Sequence, residues 1–316
     1  MSLLTKLRRA GRRAPFIKRL ADAMLRRRGD PLQVFSIGIL TGETPLSLAA
    51  TASPGNPVLT ARDVVDRDAA FVADPFMIKV GGTWFMFFEV MPRTSPKGVI
   101  GLASSRDGST WTYERIVLEE PFHLSYPHVF TWQDEVFMVP ETHEAETVRL
   151  YRAVNFPTSW RYERDLITGR PFSDATSFQH DDHWWMFAET DAGRRHDLLR
   201  LYTSRALLGP WREHPMSPVV KRNPHAARPA GRVVMTPDGP VRFSQDCYPV
   251  YGSAVTAHLI TELTADRYAE RPLGTQPLLQ GSGRSWNAGG MHHIDLHPVP
   301  GGWIACVDGW FHEPAT

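Results

Sequence analysis

Apolar and polar positions alternate along this chain in short runs, and the runs repeat. Phe71–Val90 reads FVADPFMIKVGGTWFMFFEV, two strand-like runs joined by Gly81-Gly82, which is the pattern of a β-hairpin. Asp74 interrupts the first run and Glu89 ends the second, fifteen residues on. Four further segments keep this layout. Ser125–Thr142 pairs Tyr126 with Glu141, and Ser173–Thr190 pairs Asp174 with Glu189. Arg228–Asp246 pairs Ala230 with Gln245, and His292–Gly309 pairs His293 with Asp308. The second members follow one another at 52, 48, 56 and 63 residues, the spacing of an array of like units. Four-stranded units set radially form a β-propeller, so the pattern predicts an all-β chain, a five-bladed β-propeller.

The segments between hairpins support the same reading. Residues 100–118, 148–167 and 198–215 each hold a strand, a turn, a Trp and a second strand, with Trp111, Trp160 and Trp211 in matching places and Tyr268 in the fourth unit. Recurrence in every unit predicts that these aromatics pack between blades. Trp84, Trp184, Trp185 and Trp303 on the second strands read as core, with a sugar-stacking platform as the alternative. After the fifth hairpin only Trp310–Thr316 remain, too few for two outer strands. The runs 34–42 and 56–64 are therefore expected to complete that blade, closing the ring and removing an open edge. The propeller is expected to span 34–316, preceded by a short basic helical N-terminal extension over 1–33. There Phe16, Ile17, Leu20, Met24 and Leu25 recur at helical spacing among Arg and Lys. Residues 1–29 suit contact with an anionic membrane surface.

Composition narrows the function classes. At 42% apolar and 22% charged over 316 residues, the chain is an ordinary globular protein. Its net charge of +1 hides an asymmetry: residues 1–30 carry ten Lys and Arg against Asp22 and Asp30, leaving an acidic body. An acidic body argues against nucleic acid as partner. Cys247 and Cys306 are too few for a disulfide scaffold. With neither an apolar run of spanning length nor the apolar core of a signal peptide, the expected location is cytoplasmic, with a peripheral position at the inner membrane face.

In a propeller the first strand of each blade lines the central channel, so Asp74, Tyr126, Asp174, Ala230 and His293 are expected to converge at one mouth. Glu89, Glu141, Glu189, Gln245 and Asp308 would join them. Crowded carboxylates push their pKa values apart, and carboxylates of split pKa are what making or breaking a glycosidic bond requires. Asp74 and Asp174, acids inside apolar runs, are the first catalytic candidates. Glu141 and Glu189 follow, with strand-end capping residues of the repeat as their alternative. Arg228, Arg232 and Arg242 are candidates for holding a phosphate, with internal salt bridges as the alternative. In MHHIDLHP, His293, Asp295 and His297 alternate onto one strand face, but no further ligand is evident, so neither metal nor cofactor is expected.

The ADPF hairpin, SDATSF in the third unit and a His in the fifth resemble the five-bladed propeller glycosidases of family 43 and its relatives. That resemblance implies a base or nucleophile at Asp74 and an orienting acid at Asp174. FVADPF, FFEV, HLSYPHVF, VPET and ARPAGR more specifically resemble the N-terminal propeller domain of glucosamine inositolphosphorylceramide transferases, over about residues 35–310. The glycosidases carry an acid Glu on the first strand of blade four, where this chain has ARPAGRVV; Glu141 or Glu189 would then be the acid. The expected function is glycosyl transfer in cell-surface glycoconjugate or glycolipid synthesis. A sugar or sugar-phosphate ligand would contact Glu89, Tyr126, His128, Arg228, Arg232, Arg242, Gln245, His292 and His293. The alternatives are a glycoside hydrolase using the same carboxylates and a non-catalytic sugar-binding module for a partner enzyme.

Overall fold

A computed structural model describes residues 33–50 and 55–312, folded into five antiparallel sheets. The helical extension expected over 1–33 lies outside the described residues except for Gln33, which opens a strand. Blade one comprises Ala69–Val80, Thr83–Pro92, Val99–Ser105 and Thr112–Leu118. Blade two follows with Ser125–Trp132, Glu135–Glu141, Thr147–Asn155 and Ser159–Thr168. Blade three has Ser173–His180, His183–Glu189 and Leu198–Ser204, edged by the two-residue strands Arg212–Glu213 and Val220–Lys221. In blade four the first strand is broken into Arg228–Pro229 and Val234–Thr236 against Gly239–Asp246, with Ala254–Leu263, Tyr268–Leu273 and Leu279–Gln280 outside.

Blade five joins the two ends of the described chain. Ile294–Val299 and Gly302–His312 are continued by Gln33–Thr44 and then Ser47–Ala50. The run 56–64 is not the outermost strand; that place goes to Ser47–Ala50, inside the loop between the two expected strands. The later run docks on the same strand by side chain and single bridge. Asn56 Oδ1 accepts from the Ile39 N–H at 2.8 Å and its Nδ2 donates to the Ile39 carbonyl at 2.9 Å, copying a strand neighbour. Leu59 bridges Ile37.

Apolar clusters between adjacent blades hold the ring together. Between blades five and one, Ile37, Val72, Trp84, Phe88, Trp111 and Ile304 are buried in one cluster, and burial of residues this size is worth roughly 1.5–3 kcal/mol each. The recurring Trp residues share a second device. Trp111, Trp160 and Trp211 donate their indole N–H to Gly108, Pro157 and Leu207 carbonyls at 3.0, 3.0 and 2.9 Å, so each closes its own turn while packing. Trp84, Trp184 and Trp185 are buried in the clusters and Trp303 packs against one, none of them at the funnel described below.

The first strands of blades one to three share a backbone distortion. Asp74, Tyr126 and Asp174 have φ of 52°, 46° and 52°, and the register slips there in each blade. This is a β-bulge, which bends a strand and re-aims its side chains. Blade four replaces it with a break at Gly231, φ 138°, where a Cβ would lie 1.7 Å from the Ile294 carbonyl oxygen. Only glycine fits there.

Candidate active site

The mouth of the ring is a funnel of about 700 Å³ lined by residues from every blade. Of the candidate residues, Asp74, Glu89, Glu141, Glu189, Arg228 and His292 line it. Asp174, Gln245, Tyr126 and His293 lie beneath its floor, each fully buried.

Asp174 is locked in place. Arg228 Nε donates to its Oδ2 at 2.6 Å and Gln245 Nε2 to the same oxygen at 2.8 Å. Arg228 reaches on to Glu141 Oε2 at 3.3 Å and to His196 Nδ1 at 3.2 Å. Burial drives the Asp174 carboxyl upward against the opposing pull of Arg228. Glu141 has a second duty, accepting the Asp174 backbone N–H at 3.3 Å, as Asp308 Oδ2 accepts that of Asp74 at 2.9 Å. In both cases the acid on the second strand of one blade caps the bulge amide of the next. A carboxylate at the second-strand place of the repeat therefore serves, in part, a backbone requirement of the neighbouring blade's bulge.

Asp74 is held differently. Its ion-pair partners among the described residues are imidazoles, His292 Nε2 at 3.7 Å and His293 Nδ1 at 3.8 Å from Oδ1. Burial pushes its carboxyl up to about 7, with His292 opposing and Asp174 and Asp308 adding to the rise. His292 in turn bonds Asp308 Oδ1 through Nδ1 at 2.7 Å and stacks on Phe35 at 4.6 Å. Burial would discharge this imidazole, but Asp308 and Asp74 outweigh it and raise its pKa. Asp74, His292 and Asp308 also lie close enough to share an ion, but the short His292–Asp308 bond already engages two of the three.

The remaining candidates lie away from the funnel. Arg232 donates to Asp295 Oδ1 at 2.7 Å and to the Val129 carbonyl at 3.0 Å, tying the channel together further down. Arg242 pairs with Glu270 through both Nε and Nη2 at 2.5 Å and with the Ala226 carbonyl at 3.0 Å. His128 is buried beside Phe76 and Phe130. The expectation that Arg232 and Arg242 hold a phosphate at the funnel is thus corrected, since internal carboxylates take up both away from it, while Arg228 lines the funnel paired with Asp174 and Glu141. Nor do His293, Asp295 and His297 form a ligand set, because Asp295 is occupied by Arg232, His297 Nε2 at 2.9 Å and the Met77 N–H at 2.7 Å.

Sequence reasoning missed the loop residues of the funnel. His123 lies 3.5 Å from Glu89 and His196 3.8 Å from Glu189, while His143, Arg194 and Tyr251 complete the rim. Burial lowers the pKa of all three histidines, that of His123 to about 4. A signal existed: His143 and His196 each follow shortly after a strand-end Glu. The lining is also divided. Phe35, Phe71, Met91, Pro249 and Val250 bring apolar surface from blades five, one and four, beside Asp74, Glu89, Arg228 and His292 of those blades, whereas blades two and three bring polar and charged side chains alone.

The family described as glucosamine inositolphosphorylceramide transferase 1, N-terminal, matches residues 28–310. Glucosamine inositolphosphorylceramide transferase 1 of Oryza sativa subsp. japonica is 36% identical over 299 residues, covering 87% of this chain and 40% of the rice protein. The Arabidopsis thaliana protein of that name is 32% identical over 297 residues, covering 87% and 39%. The chain thus spans about two fifths of the length of these relatives. Among solved structures, an exo-β-1,3-galactanase from Clostridium thermocellum superposes with a TM-score of 0.56 at 11% identity, over 70% of this chain and 52% of that one, a likeness of fold. The chain belongs to the family of glucosamine inositolphosphorylceramide transferase N-terminal domains.

Proposed function

We propose that the funnel performs glycosyl transfer, with Asp74 as general base, Asp174 as the orienting carboxylate and Glu189 as the proton donor. The observation that carries this is the contrast between two equivalent acids. Burial raises both carboxyls to about 7, but Asp174 is fixed beneath the floor by Arg228 and Gln245, while Asp74 lines the cavity among imidazoles and is free to take a proton there. A base is most effective when its pKa lies near the working pH. Glu141 is the weaker candidate for the acid, since its Oε2 accepts from both Arg228 and the Asp174 amide. With the arginines occupied by internal carboxylates, support for transfer over hydrolysis comes from the transferase relatives rather than from a phosphate site. The divided lining suits an acceptor with a polar head and an apolar portion, and the relatives' name joins a sugar to a ceramide.

One observation favours a second reading, a non-catalytic sugar-binding module. Blade four contributes Gln245 where every other blade places an acid, and Ala230 where blades one and three do, so the funnel has fewer carboxylates than its symmetry allows. Incubation with a panel of sugar nucleotides and aryl glycosides separates the readings. Turnover of a sugar nucleotide that disappears in Asp74→Asn supports transfer, and turnover of aryl glycosides alone replaces it with hydrolysis. Saturable sugar binding without turnover establishes the module.

A further inference from the structure

Six carboxylates line the funnel among the described residues, Asp74, Glu89, Glu141, Glu144, Glu189 and Asp191, against two arginines, Arg194 and Arg228. Most of these charges are already committed. Arg228 pairs with Asp174 and Glu141, and His292 with Asp308 and Asp74. Arg195 meets Asp191, Glu144 accepts the His123 N–H at 3.2 Å, and Arg194 is exposed at the rim.

Glu89 is left over. It is only 6% exposed and stands on the second strand of blade one opposite Ala73, the residue before Asp74. Among the described residues no hydrogen bond reaches its carboxylate, and its one ion-pair contact is His123 Nε2 at 3.5 Å. That imidazole is neutral at physiological pH, because burial lowers its pKa to about 4. Burial raises the Glu89 carboxyl, and Asp74, Glu141, Asp308 and Asp174 raise it further. A buried acid that faces a cavity among other acids, with no donor of its own, lacks a cation. Glu89 is not among the described groups close enough together to share a metal ion. The cation that fits is therefore one a single carboxylate can hold. An ammonium does so by a charge-assisted hydrogen bond and keeps two further N–H donors for other acceptors.

The wall holds a second unpaired polar group, of the opposite kind. Arg228 Nη1 lies 3.2 Å from His196 Nδ1. An arginine only donates, so Nδ1 accepts and the imidazole proton sits on Nε2. His196 is 8% exposed and lines the funnel, and its Nε2 has no partner among the described residues. Blade three thus offers an unused donor and blade one an unused acceptor, which a ligand carrying both an ammonium and hydroxyl oxygens would complete.

We propose that the funnel selects a sugar bearing a free amine, with Glu89 accepting from the ammonium and His196 Nε2–H donating to a sugar oxygen. This recognition rests on the funnel being a carbohydrate site, as proposed above, and names the group read there. A sugar with a hydroxyl or an acetamide in place of the amine brings no charge, so it leaves Glu89 either protonated or uncompensated.

The test titrates the full chain by calorimetry with glucose, 2-amino-2-deoxyglucose, 6-amino-6-deoxyglucose and the N-acetyl form of each amine. One amine should bind about tenfold or more tighter than glucose and than its own N-acetyl form, the discrimination expected of a hydrogen bond between charged groups. Glu89→Gln keeps the shape and removes the charge, so the preference for the amine should vanish while the affinity for glucose holds. Its thermal midpoint should hold or rise, because a crowded buried carboxyl has been removed. If Glu89→Gln does not fold, Glu89→Asp takes its place and should weaken amine binding at unchanged affinity for glucose. Wild type that binds glucose and the amines alike, or prefers an N-acetyl form, overturns the amine assignment and leaves the carbohydrate site standing. A preference that survives in folded Glu89→Gln overturns Glu89 as the acceptor. Binding of none of these sugars overturns the amine assignment too, and the panel of sugar nucleotides and aryl glycosides then decides the carbohydrate site separately.

Discussion

Arg228 and Asp174, 54 residues apart in the chain, form the buried ion pair on which the funnel floor rests, with Nε 2.6 Å from Oδ2. Breaking a buried pair by removing one partner leaves an uncompensated charge and typically costs about 3–5 kcal/mol. Arg228→Met should fall in this range in urea unfolding, since Glu141 loses its partner as well. The pH dependence gives the sign. Without the arginine, folded Asp174 and Glu141 hold protons that the unfolded chain releases above about pH 4. Stability of the variant should then drop further as pH rises from about 5 to about 8. A deficit independent of pH would mean that the pair is not the source of the loss.

Arg232 and Asp295 provide the comparison at greater depth. Burial opposes ionisation of Asp295, but Arg232 and His297 overcome it and hold the carboxyl well below its usual range. A group of this kind stabilises the fold above its unfolded pKa of about 3.9, and the contribution is lost as pH falls through the lower folded value. Arg232→Met should therefore cost about 3–5 kcal/mol at neutral pH, with the deficit shrinking toward acid. Sugar binding per folded molecule should be unchanged, because neither residue lines the funnel. Loss of ligand binding in folded Arg232→Met would restore this arginine to the site.

How far the sequence could be read depended on whether partners lie within one hairpin or across blades. The Asp74/Glu89 and Asp174/Glu189 spacings are hairpin properties, visible because a strand, a turn and a bulge occupy a constant number of residues. Closure through Gln33–Thr44 was legible from what the fifth hairpin lacked. The destinations of the arginines were not, because Arg228 meets Asp174 and Arg232 meets Asp295 across the ring, at separations that carry no periodic signal. Arg242 looked like a funnel residue by proximity to Gln245, yet side chains three residues apart on a strand point to opposite faces. The outer strand of blade five was misplaced because Asn56 imitates a strand neighbour with its side chain.

His292 offers a spectroscopic prediction. Its raised pKa rests on Asp308 first and Asp74 second, against burial. A His raised above about 6.5 stabilises the fold below that value and loses the contribution as pH rises through its folded pKa. Titration of the ring signals by NMR should place His292 above a free imidazole. Asp308→Asn should lower it more than Asp74→Asn, in keeping with contacts of 2.7 and 3.7 Å. Equal effects of the two substitutions, or none, would contradict this arrangement.

Asp74→Asn brings the chemistry and the physics of the funnel to one preparation. Asn keeps the size of Asp and removes its charge, and no arginine is left unpaired, since Arg228 serves Asp174 and Arg232 serves Asp295. With a folded pKa of about 7, wild-type Asp74 costs stability progressively as pH rises from about 4 toward 7. The variant lacks that cost, so its advantage over wild type should grow by roughly 2 kcal/mol between about pH 5 and about pH 8. Turnover, if Asp74 is the general base, should fall by about a hundredfold or more. Thermal midpoint and turnover measured together make the combination diagnostic, because a residue kept for packing would lose stability and retain activity per folded molecule. A variant destabilised at every pH and normal in turnover would remove Asp74 from the catalytic assignment.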